Sequence, residues 1–181
     1  KINLQFNQIK TWVHMLTGRS YWHVPQGLGC AFEPDKINGY FNDMTAKTTW
    51  TGLMNDTGIP VNVLSNGETV EIPTVIVQKA LGHWDRWLIE NDELHKSEFL
   101  KLCQWLLDNQ DKQGGWDIWG IFGLKCSSKY SAMTQGEAIS ALLRAYLLTN
   151  NENYLEVGEK AVLIFRVPVS RGGITYFKRS E

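Results

Sequence analysis

Between Gln104 and Leu148 the chain spells out a pattern that a helical fold accommodates and a sheet does not. A helix carrying Trp105 and Leu106 runs to Asn109. Gly114-Gly115 then offers a stop able to take the left-handed conformation, and Trp116 follows at once. A loop over 117–129 leads to Tyr130. Thr134 and Glu137 fit a capping box at the next helix start, and Ile139, Leu142, Leu143, Tyr146 and Leu147 recur at helical spacing after it.

The same rhythm continues on either side. Pro73 opens a helix at a favourable first-turn position, with Ile76, Ala80, His83, Trp84, Trp87 and Leu88 on its apolar stripe. A polar link, Asn91-Asp92-Glu93, leads to a helix from about Ser97 to Asn109, where Phe99, Leu102, Cys103 and Leu106 face one way. A last helix runs from about Asn153 to Phe165, with Leu155, Val157, Ala161 and Val162 inward. Short links force successive helices to be antiparallel neighbours. The predicted fold is therefore mainly α: a partial α/α toroid of antiparallel hairpins at about 73–109 and 132–165. At about 40 residues per helical pair, a six-hairpin toroid needs roughly twice this length. The chain is expected to be a compact variant or a truncated piece. The outer side of its last hairpin should leave Val162 and Phe165 partly uncovered, unless a second copy or a missing C-terminal half covers them.

Residues 1–72 read differently. Ile9, Trp12, Val13 and Leu16 have helical spacing, and Gly18 can end that helix. From Arg19 to Ile72 periodicity disappears among Gly and Pro. Asn66-Gly67, between Val61–Leu64 and Thr69–Ile72, signals a β-hairpin. A loop region this long usually has a job. The expected organisation is an irregular N-terminal region, 1–72, and a helical region, 73–181, in one structural domain. Ile174–Phe177, after Gly172-Gly173, reads as a short strand or hairpin arm.

Composition narrows the function classes. The net charge of -1 leaves no electrostatic footprint for nucleic acid. No apolar run is long enough to span a membrane. The chain starts at Lys1 with no visible targeting segment, so it is expected to be soluble, with its compartment open. Cys30, Cys103 and Cys126 form an odd set without metal-type spacing, so neither a disulfide framework nor a metal is expected. Eight Trp and six Tyr are many for 181 residues. Most pack in cores, but the loop rings Tyr21, Trp22, Trp116, Trp119 and Tyr130 favour stacking on the apolar face of a pyranose.

Tyr130-Ser131-Ala132-Met133-Thr134-Gln135-Gly136 resembles the Tyr-Ser-Ala-Met-x-Gln-Gly signature of D-glucuronyl C5-epimerases, which invert uronic acids in heparan-type polysaccharides. Ala138-Ile139-Ser140 and Arg144–Leu148 continue the resemblance in register, and Trp105-Leu106, Asn109–Asp111 and Gly114–Trp116 precede it. The resemblance covers about Ile72 to Phe165. Gly39–Asp43 with Lys47, and Pro73-Thr74, are similar to earlier family segments. There are two departures. Only Asn91–Lys96 stands where animal enzymes insert a β-sandwich, and the family's catalytic tyrosines lie downstream of the helix ending near Phe165, about where this chain stops. The resemblance implies C5-epimerisation of D-glucuronic acid to L-iduronic acid with no cofactor, and leaves the catalytic residues of this chain unassigned.

That chemistry removes a proton alpha to a carboxylate, so the carboxylate must be neutralised. One group takes the proton and another returns it to the opposite face. The candidate substrate contacts are Tyr130, Gln135, Trp116, Arg19, His23 and Lys47. Each has a plainer reading: a helix staple for Tyr130, a cap for Gln135, core packing for Trp116 and solvated loops for the cations. Arg144 reads as a structural hydrogen-bond donor, His83 as a core histidine and Glu137 as half of the capping box. Two other classes stay open. One is a uronate lyase or hydrolase on the same toroid, although no convincing carboxylate pair is readable. The other is a non-catalytic glycan-binding scaffold or fragment. The expected partner in every case is a uronic-acid polysaccharide.

Overall fold

The computed structural model describes residues 9, 12, 13, 16, 17, 26–64 and 66–176. Four α-helices carry the fold: α1 (Pro73–Glu90), α2 (Glu93–Asp108), α3 (Ala132–Thr149) and α4 (Glu152–Leu163). A small antiparallel pair, β1 (Asn62–Val63) and β2 (Thr69–Val70), sits ahead of them in the register Asn62 to Val70 and Val63 to Thr69. The chain is mainly α with one β-hairpin, as its periodicity predicts.

The two helical hairpins use the same joint. Asn91 ends α1 at φ 53°, and Asn150 ends α3 at φ 54°. Asn is among the few non-glycine residues that enter this left-handed region readily. The next residue caps the following helix: the Asp92 side chain accepts from Leu94 N, and that of Asn151 from Asn153 N. Two residues thus stop one helix and start the next. α2 therefore begins at Glu93, four residues before the start expected at Ser97, because Asp92 caps it. α4 ends at Leu163 and continues as a 3₁₀ turn, Ile164–Arg166.

Hydrophobic burial agrees with the stripe on α2, where Phe99, Leu102, Cys103 and Leu106 are all fully buried. On α3 the buried face is shifted. It consists of Ala138, Ala141, Leu142 and Ala145, while Ile139 and Tyr146 are partly buried and Leu147 is exposed. Small residues allow close approach at the helix contact, which spacing of large apolar residues does not reveal. The capping box is also corrected. Ser131 is the cap, accepting weakly from Thr134 N at 3.5 Å, and Glu137 turns inward instead.

The irregular segment is fastened to this scaffold by polar contacts. Trp84 Nε1 and Arg144 Nε both donate to Asn38 O, at 2.9 and 3.0 Å, and Arg144 Nη2 donates to Gly39 O at 3.0 Å. Tyr40 N donates to Asp85 Oδ1 at 2.7 Å. Farther on, a 3₁₀ turn, Thr45–Thr49, lies against α1 at Gly82. A Cβ there would meet Met44 O at 2.3 Å, so only glycine permits this approach.

Among the described residues, apolar side chains are exposed at both ends of the fold, and elsewhere. Val162, Leu163 and Phe165 are exposed at the end of α4, as expected of the last hairpin. Ile9, Trp12, Val13 and Leu16 are helical and exposed; Gly18 lies outside the described residues. At the far end, Thr175 bridges to Pro168 in parallel, in place of a longer strand arm; Phe177 is outside the described residues.

Burial predicts the energetics of α2. Leu102→Ala, inside the core, should destabilise the protein by about 2–5 kcal/mol. Leu94→Ala, at a side chain that is 62% exposed, should change stability by no more than about 0.5 kcal/mol. Urea denaturation of the two variants measures the contrast.

Candidate functional site

A cavity of about 760 Å³ opens where the irregular segment meets the starts of α1 and α3. Lys47 and Trp50 enter from the 3₁₀ turn and the residues just after it, and Asn62, Val63 and Leu64 from the hairpin. The first turns of α1 supply Thr74, Gln78 and Lys79. Ile118 and Phe122 come from the loop after Trp116, and Met133 from the start of α3. The two helix starts are tied together by Thr74 Oγ1 and Thr134 Oγ1, 2.6 Å apart. The lining is a mixture of apolar and aromatic surface with a few polar groups, the usual make-up of a small-molecule site.

Charge here is unevenly neutralised. Lys79 is only 5% exposed, and its Nζ donates to Thr48 O at 3.2 Å. Burial pushes its ammonium below the ordinary lysine value; Glu98 opposes this and Lys101 adds to it. Glu98 itself is engaged by Lys101 at 2.7 Å. Behind Gln78 lies Glu137, 4% exposed, whose two oxygens accept from Gln78 Nε2 at 3.1 and 3.3 Å. Burial raises the Glu137 carboxyl to about 7, against the opposing effects of Gln78 and Lys47. Asn62 Oδ1 is buried and receives no hydrogen bond.

Trp116, Tyr130 and Gln135 come together beside the cavity, in the interior. Gln135 Oε1 accepts from Trp116 N at 3.3 Å, and its Nε2 donates to Gly114 O and Ala161 O at 3.2 and 3.4 Å. Trp116 Nε1 donates to Leu106 O at 2.9 Å. Tyr130 OH lies 2.7 Å from both Asp111 Oδ2 and Gln113 Oε1. Burial, followed by the Asp111 hydrogen bond, raises the Tyr130 phenol far above its usual value. The ring packs where a Cβ on Gly115 would sit, 2.4 Å from Tyr130 Cε1. Together these residues hold both ends of the loop that carries Ile118 and Phe122. Trp119, on that loop, donates to Tyr130 O at 3.2 Å. Of the expected contacts, Lys47 lines the cavity, while Arg19 and His23 lie outside the described residues, as do Tyr21 and Trp22.

Sequence reading passed over Lys79, Gln78, Asn62 and Trp50. Lys79 had a visible signal: it stands three residues after Ile76 and four before His83, on the stripe assigned to the core. Among the described residues, no three His, Cys, Asp or Glu side chains cluster as a metal site would require. The His83 and His95 Nδ1 atoms are 2.8 Å apart, sharing one hydrogen. Burial, then the charges of Lys79 and His95, lowers His83 to about 3, so it stays neutral at pH 7. His83 Nε2 is buried without a partner, so this core histidine is only half satisfied.

Glu137 links this geometry to pH. Its carboxyl goes from an ordinary value near 4.5 to about 7 in the folded chain. Between those values the folded chain keeps a proton that the unfolded chain has released, so stability is full below pH 4.5 and falls as pH rises through 7. The loss is on the order of 3 kcal/mol at about 1.4 kcal/mol per pH unit. Glu137→Gln should therefore raise stability by about 1–3 kcal/mol at pH 8 and leave it nearly unchanged near pH 4. Urea titrations at the two pH values check this, and an equal effect at both would show that Glu137 is not the group responsible.

Residues 110–179 match the sequence family described as the D-glucuronyl C5-epimerase C-terminus. A D-glucuronyl C5-epimerase of Caenorhabditis elegans is 34% identical over 93 residues, a stretch that covers 48% of this chain and 15% of the relative. The chain thus spans a small part of the length of the curated relative it matches. No solved structure matches it. The matched segment contains the turn at Gly114-Gly115, the loop wall, Tyr130, Gln135 and both helices of the second hairpin, and over that segment the chain is similar to the C-terminal part of D-glucuronyl C5-epimerases.

Proposed function

We propose that the protein containing this chain inverts D-glucuronic acid to L-iduronic acid at C5 within a heparosan- or heparan-type polysaccharide. The observation that carries this reading is the family match over 110–179, which includes one wall of the cavity. The reaction takes a proton from C5, alpha to the carboxylate, and returns one to the opposite face. Its intermediate concentrates charge on the carboxylate, so a cavity with cationic side chains suits it. Lys47 and Lys79 supply that character here, and Trp50 and Phe122 offer faces to the sugar.

In this reading Trp116, Tyr130 and Gln135 act as positioning residues. Tyr130 is a poor base where it stands: its hydroxyl is bound to Asp111 and Gln113, and its phenol holds its proton more tightly than usual. Its contribution is to fix the loop that brings Ile118 and Phe122 to the cavity.

The full-length protein, incubated with heparosan labelled by deuterium at C5 of its glucuronate units, should release the label to water and accumulate iduronate. Loss of no label from any uronate polymer would reject the epimerase. Chain cleavage without label release would point to a hydrolase, and new unsaturated chain ends to a lyase.

A further inference from the structure

The family match does not include Lys79, which precedes its first residue, Gln110. Yet Lys79 is the most unusual charge in the cavity. An ammonium has three N–H donors, and the contact that Lys79 makes is to one backbone carbonyl, Thr48 O. No carboxylate of the described residues lies within ion-pairing distance of it. A buried charge without a partner is costly, and breaking an ion pair in such a place is among the more damaging changes a protein suffers. An anion that fits the cavity would offset that cost. A second observation points the same way: Asn62 is in the cavity lining, and its Oδ1 is buried without a donor. A ligand that satisfies both groups carries an anionic group and a hydroxyl. Gln78, whose amide nitrogen is turned to Glu137, is in the same lining.

We propose that Lys79 and Asn62 form a subsite that takes a hexuronate ring, with the Lys79 ammonium on the ring's carboxylate and the Asn62 carbonyl accepting from a ring hydroxyl. The identity of the ring rests on the epimerase reading; the anion-binding geometry does not. Lys47 adds a second positive charge to the lining, and Trp50, Phe122 and Met133 cover the apolar side of the sugar. The starts of α1 and α3 meet at the same place, where helix dipoles also favour negative charge. The volume of about 760 Å³ leaves room for more than a bare anion. A carboxylate arriving at Lys79 would also secure a proton that burial alone loosens.

The test is calorimetric binding to the full-length protein. The probes are a heparosan oligosaccharide and the same oligosaccharide with its carboxyl groups reduced to alcohols. A sulfated, carboxyl-free oligosaccharide separates carboxylate from sulfate recognition. Wild type should bind the first at least tenfold more tightly than the other two. Lys79→Met removes the charge but keeps the length. It should lose that preference, its affinity for the reduced probe should stay the same, and it should melt no lower than wild type because a buried charge is gone. Lys79→Arg should keep part of the preference. Equal binding of the three probes by wild type would overturn the subsite without any variant, and tighter binding of the sulfated probe would assign it to sulfate instead. A preference unchanged in Lys79→Met would also overturn it. If carboxylate-dependent binding is lost in Lys79→Met while wild type releases no C5 label, the subsite stands and the epimerase reading fails. If Lys79→Met releases label with an unchanged KM, the reading stands and the subsite fails.

Discussion

The arrangement depends on how a stretch without secondary structure is held against two helical hairpins. The backbone at Asn38–Tyr40 is gripped by three side chains. Trp84 and Arg144 both donate to Asn38 O, Arg144 also reaches Gly39 O, and Asp85 accepts from Tyr40 N. Trp84 and Asp85 belong to α1 and Arg144 to α3, so one short peptide joins both hairpins. A loop crossing a protein interior must satisfy its own N–H and C=O groups, and these side chains do so. The guanidinium is suited to the task because its fork can engage two carbonyls at once while it also donates to Ser140 O and Oγ. The cavity follows from this attachment, since its lining combines residues beyond that peptide with the starts of the helices it ties.

Asp85 shows the tension in the same joint. One carboxylate oxygen accepts from Tyr40 N, while the other is buried without a donor. Burial pushes this carboxyl up to about 6, with the Tyr40 hydrogen bond and the Arg144 charge pulling it back. Glu137 is handled in a similar way, one amide serving both of its oxygens. Acidic groups are thus buried close to the helix interface with few donors, while the buried cation Lys79 is left facing the cavity. Charge that would ordinarily pair inside the protein is divided between two sides of α1.

Sequence reading went well wherever large apolar residues mark a face and short polar links separate the faces. The fully buried row Phe99, Leu102, Cys103 and Leu106 is the plainest case. It went less well where packing uses small residues. The α3 interface is built on Ala138, Ala141 and Ala145, so a search for large side chains lands one position away, on Ile139 and Leu147. Cap chemistry was ambiguous for a similar reason. Ser131 and Thr134 are both competent caps three residues apart, and only the inward turn of Glu137 decides between them. The cavity was the least legible part. Its lining comes from six stretches of chain, and the residue that makes it unusual, Lys79, was a charge on a stripe read as core.

The chain's net charge of -1 carried no hint of a polyanion partner, and the structure explains why that balance is uninformative. Several exposed or half-buried cations are neutralised locally, as in Lys36 with Glu33, Lys96 with Glu93 and Arg86 with Glu90. Such surface pairs add little stability and present little net field. What a charged sugar would meet is the local composition of the cavity, where Lys47 and Lys79 are part of the lining and neither Asp nor Glu is. Inside a cleft with low-dielectric walls, a single unpaired charge outweighs many screened ones at the surface. On the proposed reading, recognition of a uronate turns on local charge such as that of Lys79, which folding places in the cavity and a residue count does not reveal.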